Sequence, residues 1–424
     1  MINLKNIFAI CVVLLFVVSS SSVFAFSFDP PDEKTGAPGE GNCTQCHVGN
    51  SLNDSGGSLM LTVPQVYTPG EMYDIVVNLS RNGQSRWGFE MTALNQNNVR
   101  AGTFAIADTN TQVSETNSKQ YIQHTTTGTA AGKSNNNQWT FKWTAPNTNV
   151  GPIMFYAAGN AANNGDGAAG DFIYTNTSTS EIATYGVTLA SVGTLSKTVS
   201  TGAGTSYTLR VTNTGNDSDT IRLTTSGDAT ATLSSSSVSL AAGASRNVTM
   251  TVSGGSLTSA GEYKVNVTAT SQKDSSKTDT ITTTTTVPPV YGVTLAGVGS
   301  LQKTTDVSTG ASYTIRVTNT GNTNDTVRLT TSGDATATVS PASISLNQGA
   351  SRTVTLRVTG DALARAGDYV VKVTATSQRD SSKTAEITTT TTISSVYDIT
   401  LAGVGALTSE TSDASEGVSY TLRI

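Results

Sequence analysis

The stretch "SYTLRVTNTGNDSDTIRLTTSGDATATL", residues 206–233, alternates threonine and serine with valine, leucine and isoleucine, and NTGN and TSGD interrupt it. Alternation with a period of two predicts β-strands with one buried face, and the Asn-Gly clusters predict turns. Nearly the same stretch recurs at residues 312–339. The motif "YGVTLASVG" and two near-copies of it begin at Tyr185, Tyr291 and Tyr397, so the repeat period is 106 residues in both intervals. We therefore predict tandem β-sandwiches of about 100 residues each.

The composition extends this fold class to the whole chain. Of 424 residues, 13% are charged and 6% are aromatic, and there are 39 glycines. This composition, with its recurring threonine and valine, predicts an all-β protein. The formal net charge is -5, and the sequence has no cluster of lysine and arginine that could bind a phosphate backbone. Both observations argue against nucleic-acid binding.

The first 25 residues have the features of a secretory signal peptide. Lys5 precedes an apolar run at residues 7–18, and small residues lead to a cleavage position after Ala25. Cys11 would leave with this segment. No later apolar run is long enough to cross a bilayer, so we expect an exported chain, in the periplasm or at the cell surface, without a transmembrane span.

The remaining chain divides into four predicted parts. Residues 26–182 form an N-terminal β-sandwich, in which "QWTFKWTAP" places Trp139, Phe141 and Trp143 on one face. Residues 183–288 and 289–394 are two full repeats. Residues 395–424 begin a third copy and stop within its second strand, so we expect the sequence to be a fragment of a longer product.

Both regions resemble known domains. The repeats, with "SYTLRVTNTGN" and later "GEYKVNVTATS", resemble immunoglobulin-like domains appended to bacterial surface proteins and α-galactosidases. The N-terminal region carries, in order, "TGAPGEGNCTQCH", "YTPGEMYDIVVNLS", "RWGFEMTALN", "YIQHTTTGTA" and "FYAAGNAANNGDGAAGDFIYT". It resembles bacterial relatives of the reelin N-terminal (reeler) domain, described as choice-of-anchor V proteins. The resemblance implies an all-β fold: a reeler-like sandwich followed by immunoglobulin-like sandwiches.

The segment "GNCTQCHVGN", residues 41–50, carries the clearest chemical motif. Cys43 and Cys46 have the two-residue spacer that lets two thiols reach both vinyl groups of one haem, and His47 follows directly as the proximal iron ligand. In an exported protein this motif predicts one covalent haem c.

Three alternatives use the same cysteines. A Cys-x-x-Cys disulfide suits a secreted chain and needs no cofactor. Zinc is disfavoured because Cys46 and His47 are adjacent and only one further histidine exists. A disulfide-exchange enzyme would more usually carry its motif at the start of a helix, which the sequence does not predict here.

The one further histidine, His124 in "KQYIQHTTTG", is the candidate for the distal iron ligand. It could equally be a surface histidine on a polar hairpin. The rival ligands are the methionines of the same domain, which are more often core residues when they occur in strands: Met60, Met72, Met91 and Met154.

Two histidine ligands would close the iron to substrates, so this interpretation predicts an electron carrier or redox sensor with an unidentified redox partner, and no enzyme. The alternative function is a non-enzymatic surface adhesion or matrix protein whose cysteines form a disulfide. The loop "GNAANNGDGAAGD", residues 159–171, has oxygen ligands suited to calcium, yet its composition is also that of an ordinary flexible loop.

Overall fold

The computed structural model describes residues 30–165, 167–307, 309–359, 363–410, 415 and 418–423. The predicted signal peptide, residues 1–25, lies outside them. Regular structure in the described part consists of β-strands and three short 3-10 segments, at Cys43–Gln45, Thr127–Thr129 and Gly254–Ser256. The prediction of an all-β protein built from sandwiches is confirmed.

Ten strands build the N-terminal sandwich: β1 (Gly57–Thr62), β2 (Val66–Tyr67), β3 (Met72–Arg81), β4 (Arg86–Asn95), β5 (Thr103–Ile106), β6 (Thr111–Thr116), β7 (Lys119–His124), β8 (Asn136–Thr144), β9 (Ile153–Ala162) and β10 (Phe172–Ile182). They form a four-stranded sheet in the order β1-β3-β8-β5 and a six-stranded sheet in the order β2-β10-β9-β4-β7-β6. Strand β4 is therefore central, between β9 and β7, and its side chains can face either the core or the outer surface.

Aromatic rings fill the space between these two sheets. Trp139, Phe141 and Trp143 of β8 are all buried, as their alternation predicts. Phe89 of β4 meets Trp139 with 4.5 Å between ring centroids and stacks on Phe141 at 5.8 Å. Rings of this size bury large apolar areas and stabilise the core strongly. The interior holds side chains and leaves the outer faces for other roles.

The segment before β1 covers the outer face of the six-stranded sheet. Glu40 accepts hydrogen bonds from Lys119 Nζ at 2.8 Å and from the Tyr121 hydroxyl at 2.9 Å, both on β7. The backbone N–H of Lys34 donates to the carboxylate of Glu90 on β4 at 2.7 Å. Since successive side chains of a strand point to opposite faces, Glu90 lies on the side away from Phe89 and the core. Residues 30–50 are thus tied to the outer face by charged groups.

Each full repeat is a sandwich of nine strands with its own core. The first repeat contains β11 (Val187–Ser191), β12 (Ser196–Thr198), β13 (Thr205–Asn213), β14 (Asp219–Gly227), β15 (Ala231–Leu233), β16 (Ser237–Leu240), β17 (Ser245–Val252), β18 (Gly261–Ser271) and β19 (Thr278–Val287). Its sheets have the orders β11-β13-β17-β15 and β12-β19-β18-β14-β16.

The second repeat has the same arrangement in β20 (Val293–Val298), β21 (Gln302–Thr305), β22 (Ala311–Asn319), β23 (Asp325–Gly333), β24 (Ala337–Ser340), β25 (Ser343–Leu346), β26 (Ser351–Val358), β27 (Gly367–Ser377) and β28 (Thr384–Ile393). The buried tyrosines Tyr207 and Tyr313 occupy equivalent places. Each donates its hydroxyl to a backbone carbonyl of the last strand at 2.8 Å. The near-identity of the two sequences is therefore matched by equivalent core contacts.

The start of the third copy contributes two short paired strands, β29 (Ala402–Gly403) and β30 (Leu422–Arg423). Their side chains are exposed. In the part of the chain that the structure describes, no helix is long and apolar enough to cross a membrane.

Candidate functional site

A cavity of about 250 Å³ lies on the outer face of the six-stranded sheet. Three of the four residues predicted from sequence line it: Cys43, His47 and His124. Cys46 lies beside it, in a small adjoining cavity of about 40 Å³ that Cys43 and His47 also line. The fold therefore brings together residues that are up to 81 positions apart in the sequence.

The two cysteines are placed by a short 3-10 turn. Asn42 precedes the turn, and its side-chain oxygen accepts from the backbone N–H of Thr44 at 2.9 Å. This is the usual capping role of asparagine. The N–H groups of Cys46 and His47 both donate to the carbonyl of Cys43, at 3.2 and 2.9 Å. Cys43 and Cys46 are both free thiols.

The environment of Cys43 does not suit disulfide exchange. Burial raises the pKa of the Cys43 thiol to about 12, and the nearby Glu90 carboxylate acts in the same direction. A disulfide-exchange enzyme needs the opposite, a thiol whose pKa is lowered so that the thiolate forms. Burial and the nearby Glu90 carboxyl therefore disfavour a thiolate at Cys43.

His47 is oriented by a buried carboxylate. Its Nδ1 lies 2.6 Å from Oδ2 of Asp171, whose side chain is almost fully buried. The amide Nδ2 of Asn160 lies 3.0 Å from Nδ1 and 3.2 Å from Nε2 of the same ring. Asn50 Nδ2 donates to the backbone carbonyl of Asp171 at 2.9 Å. When Nδ1 carries the proton and donates a hydrogen bond to Asp171, the lone pair of the imidazole is on Nε2. This tautomer can bind a metal through Nε2.

His124 ends β7 and is only 5% exposed. It is thus buried, whereas the alternative interpretation of a surface hairpin residue requires exposure. Its Nδ1 lies 3.0 Å from the backbone N and 3.1 Å from the carbonyl oxygen of Phe89. The ring lies against Gly88, because a Cβ at that position would come within 2.8 Å of His124 Cε1. Glycine at position 88 provides the room for the imidazole.

The two histidines converge on one pair of residues in the sheet. Gly88 of β4 and Asn160 of β9 are direct partners in the antiparallel register. His124 lies against Gly88, and His47 contacts the Asn160 amide. The two imidazoles therefore lie over neighbouring positions of adjacent strands.

The four methionines considered as rivals of His124 are placed differently in the structure. Met60 and Met72 are exposed, at 63% and 60%, and Met91 lies in the core of the sandwich. Neither these three nor Met154 is among the residues that line the cavity.

Glu90 also lines the cavity and is 1% exposed. Its Oε2 accepts from the Lys34 N–H, while Oε1 is buried without a hydrogen-bond partner in the described part of the chain. Burial raises the pKa of Glu90 to about 8 against the effect of the Lys34 N–H, and the neighbouring carboxylates of Asp32 and Glu40 raise it further. A buried polar atom without a partner is costly and calls for an explanation.

Residues near both ends of the 159–171 segment contact the His47 ring. Asp171 and Asn160 turn toward that ring, and Asn163 donates its backbone N–H to Asp171 Oδ1 at 3.3 Å. Asp166 lies outside the described residues. Within those residues, no group of three or more histidine, cysteine, aspartate or glutamate side chains is arranged to hold a metal ion.

Sequence reasoning did not single out Arg86, Gly88 or Glu90, and it considered Asp171 only as a calcium ligand. The pattern that could have found Arg86 and Glu90 is the presence of two charges on the same face of a strand otherwise made of buried residues, "RWGFEMTAL". Such charges are rarely buried without a partner or ligand.

Comparison with known families agrees with this architecture. Residues 44–162 match the Reeler domain. Residues 194–288 and 302–395 each match the family described as "IG-like fold at C-terminal of FixG". The expected reeler-like domain followed by immunoglobulin-like repeats is confirmed. The Reeler match includes Cys46, His47 and His124 and begins one residue after Cys43.

Similarity to solved structures is remote. A protein of unknown function from Porphyromonas gingivalis W83 is 13% identical, covers 49% of this chain and 99% of its own, and has a TM-score of 0.21. A tetra-tandem repeat from the extending region of a large adhesion protein is 13% identical, with 79% and 74% coverage and a TM-score of 0.25. The Escherichia coli chaperone DraB is 13% identical, with 48% and 97% coverage and a TM-score of 0.20. No curated protein matches the sequence.

Proposed function

We propose that this chain is an exported c-type haem protein that transfers electrons or senses redox state. The observation that carries the proposal is the meeting of both histidines of the chain over one residue pair, Gly88 and Asn160, at a cavity that Cys43 also lines. Scarcity makes this meeting informative, because the mature chain has only these two histidines and two cysteines.

The residues present fit a covalent haem. Cys43 and Cys46 would form the two thioethers, His47 would bind the iron through Nε2, and His124 would bind the opposite face. When bound, haem supplies an iron that cycles between its ferrous and ferric states. Asp171 fixes the ring orientation of His47, and Gly88 makes room for His124. Two imidazole ligands leave no position for oxygen or peroxide, which supports an electron carrier and no enzymatic activity.

The rest of the chain suits an extracellular position. The Reeler and immunoglobulin-like domains are compatible with one, and the predicted signal peptide and the resemblance to choice-of-anchor V proteins support export. In this proposal the repeats act as spacers between the haem domain and the cell envelope or matrix.

The test is expression of the full chain, with its leader, in a host that has a cytochrome c maturation system. We expect the purified protein to retain haem stain through a denaturing gel and to give a six-coordinate, low-spin visible spectrum. The double variant Cys43→Ser/Cys46→Ser should lose the stain. Thr44→Ser, which lies between the cysteines and keeps both thiols, is the matched control and should retain it. A colourless protein with a Cys43–Cys46 disulfide would refute the proposal and favour the adhesion or matrix alternative.

A further inference from the structure

Arg86 is a charged residue that lines the cavity, as Lys34 also does. It lies on the same outer face of β4 as Gly88 and Glu90, and it lines the cavity. Its Nε is buried without a hydrogen-bond partner, and no described residue forms an ion pair with its guanidinium. Neither carboxylate that lines the cavity contacts Arg86: Asp171 lies against His47, and Glu90 accepts from the backbone N–H of Lys34.

An unpartnered guanidinium in this position points to an anionic ligand. Arginine remains charged at all physiological pH values, and its five N–H donors form a planar fork that matches a carboxylate. Leaving a buried donor unpaired costs stability, so a ligand that pairs with it gains by removing that cost. A carboxylate is therefore the group that this end of the cavity is suited to bind.

The order of residues along β4 indicates which carboxylate. Glu90 marks the cysteine end, because it accepts the backbone N–H of Lys34, which lines the small adjoining cavity together with Cys43 and Cys46. Gly88 lies in the middle, under His124. Arg86 lies at the far end, paired in register with Ala162 of β9. Four residues of strand span about 13 Å, which is comparable to the distance between opposite edges of a haem.

We infer that Arg86 binds a propionate carboxylate of the haem and thereby orients the cofactor; this inference rests on the proposed function. The two vinyl groups of haem lie on the edge opposite its two propionates. Thioethers at Cys43 and Cys46 therefore direct the propionates away from the cysteine end, toward the end of the cavity where Arg86 lies.

A neutral residue at position 86 would leave the propionate charge uncompensated near the iron. The ferric state carries one more positive charge than the ferrous state, so an uncompensated anion stabilises it and lowers the midpoint potential. A unit charge about 10 Å away, at an effective dielectric constant of about 20, changes the equilibrium by about tenfold. For one electron, tenfold corresponds to about 59 mV.

The experiment measures the midpoint potential of the full, haem-loaded chain. Arg86→Gln should keep haem stain in a denaturing gel and a low-spin spectrum, with a potential about 59 mV below wild type. Arg86→Lys, which keeps the charge but not the fork, should fall between the two. Arg100→Gln is the control, because Arg100 pairs with Glu115 at the surface of the same domain and lines no part of the cavity.

The outcomes separate this inference from the function on which it rests. A haem-bearing Arg86→Gln protein with the wild-type potential would overturn the role of Arg86 and leave the proposed function standing. If Arg86→Gln did not fold, an Arg86→Lys potential equal to wild type would likewise overturn the role of the guanidinium fork. A wild-type chain that binds no haem would refute the proposed function itself.

Discussion

In the proposed haem-loaded chain, replacing Asp171 by asparagine should raise the midpoint potential. The 2.6 Å contact between Asp171 Oδ2 and His47 Nδ1 is short, as expected for a charge-assisted hydrogen bond. A carboxylate that accepts a hydrogen bond from Nδ1–H makes the imidazole a stronger electron donor to the iron, and a stronger donor favours the ferric state. Asparagine has nearly the same shape and can still accept from Nδ1, but it carries no charge.

The magnitude follows from what such partners contribute to metal sites. Loss of a carboxylate partner to a ligating histidine typically costs about 10-fold to 100-fold in metal affinity. If that loss falls mainly on the ferric state, the one-electron potential rises by about 60 to 120 mV. Because Asp171 is buried and its charge is little screened by solvent, we expect the effect to persist at high salt.

The assay is a spectroelectrochemical titration of the full, haem-loaded chain, with the low-spin spectrum checked in both oxidation states. Asp74→Asn is the matched control, because Asp74 pairs with Lys142 on an exposed part of the other sheet. Its potential should match wild type. An Asp171→Asn potential equal to or below that of wild type would show that the carboxylate does not tune the iron through His47.

Two further predictions concern the same cavity. His124→Ala should convert the low-spin spectrum to a high-spin or water-ligated one and allow exogenous imidazole to bind; an unchanged spectrum would show that another residue holds the distal position. Glu90→Gln should flatten the pH dependence of stability in the haem-free Cys43→Ser/Cys46→Ser chain, measured by denaturant unfolding of the N-terminal domain. Burial raises the pKa of Glu90 from 4.5 to about 8, so between these pH values the folded state holds a proton that the unfolded state releases. Its contribution to stability is therefore present below pH 4.5 and is lost as the pH rises toward 8, by about 5 kcal/mol. Equal slopes for the two chains over this range would contradict the assignment.

The fold could be predicted from the sequence because the patterns that indicate it, strand alternation and the repeat, can be found without knowing any tertiary contact. Alternation in "QWTFKWTAP" placed Trp139, Phe141 and Trp143 on one face, and all three are buried. The 106-residue period identified the repeats without any knowledge of their contacts. Patterns of period two persist because one face of each strand meets the core while the other faces solvent.

The residues that contact the two histidines could not be predicted in the same way, because their positions depend on strand register and on contacts between residues far apart in the chain. His124 could be selected by scarcity alone. Asp171 lies 124 residues after His47. The meeting of Gly88 with Asn160 exists only through the register of β4 and β9, which no local pattern specifies. The loop composition was compatible with calcium at Asp171 but is also that of an ordinary loop, and neither interpretation identified its partner, the His47 imidazole.

The position of the site follows from how the sandwich is filled. The interior is occupied by tryptophan and phenylalanine rings, with Phe89 and Trp139 only 4.5 Å apart, so a planar cofactor has no room between the sheets. A site for such a cofactor must form on an outer face, where a second layer of chain can enclose it. Residues 30–50 supply that layer and carry the two thiols and His47, and their attachment through Glu40 and Glu90 to the sheet explains why acidic groups lie so close to the cavity. Arg86 lines the same cavity, at the end of β4 away from Glu90, where a propionate of the proposed haem would reach it.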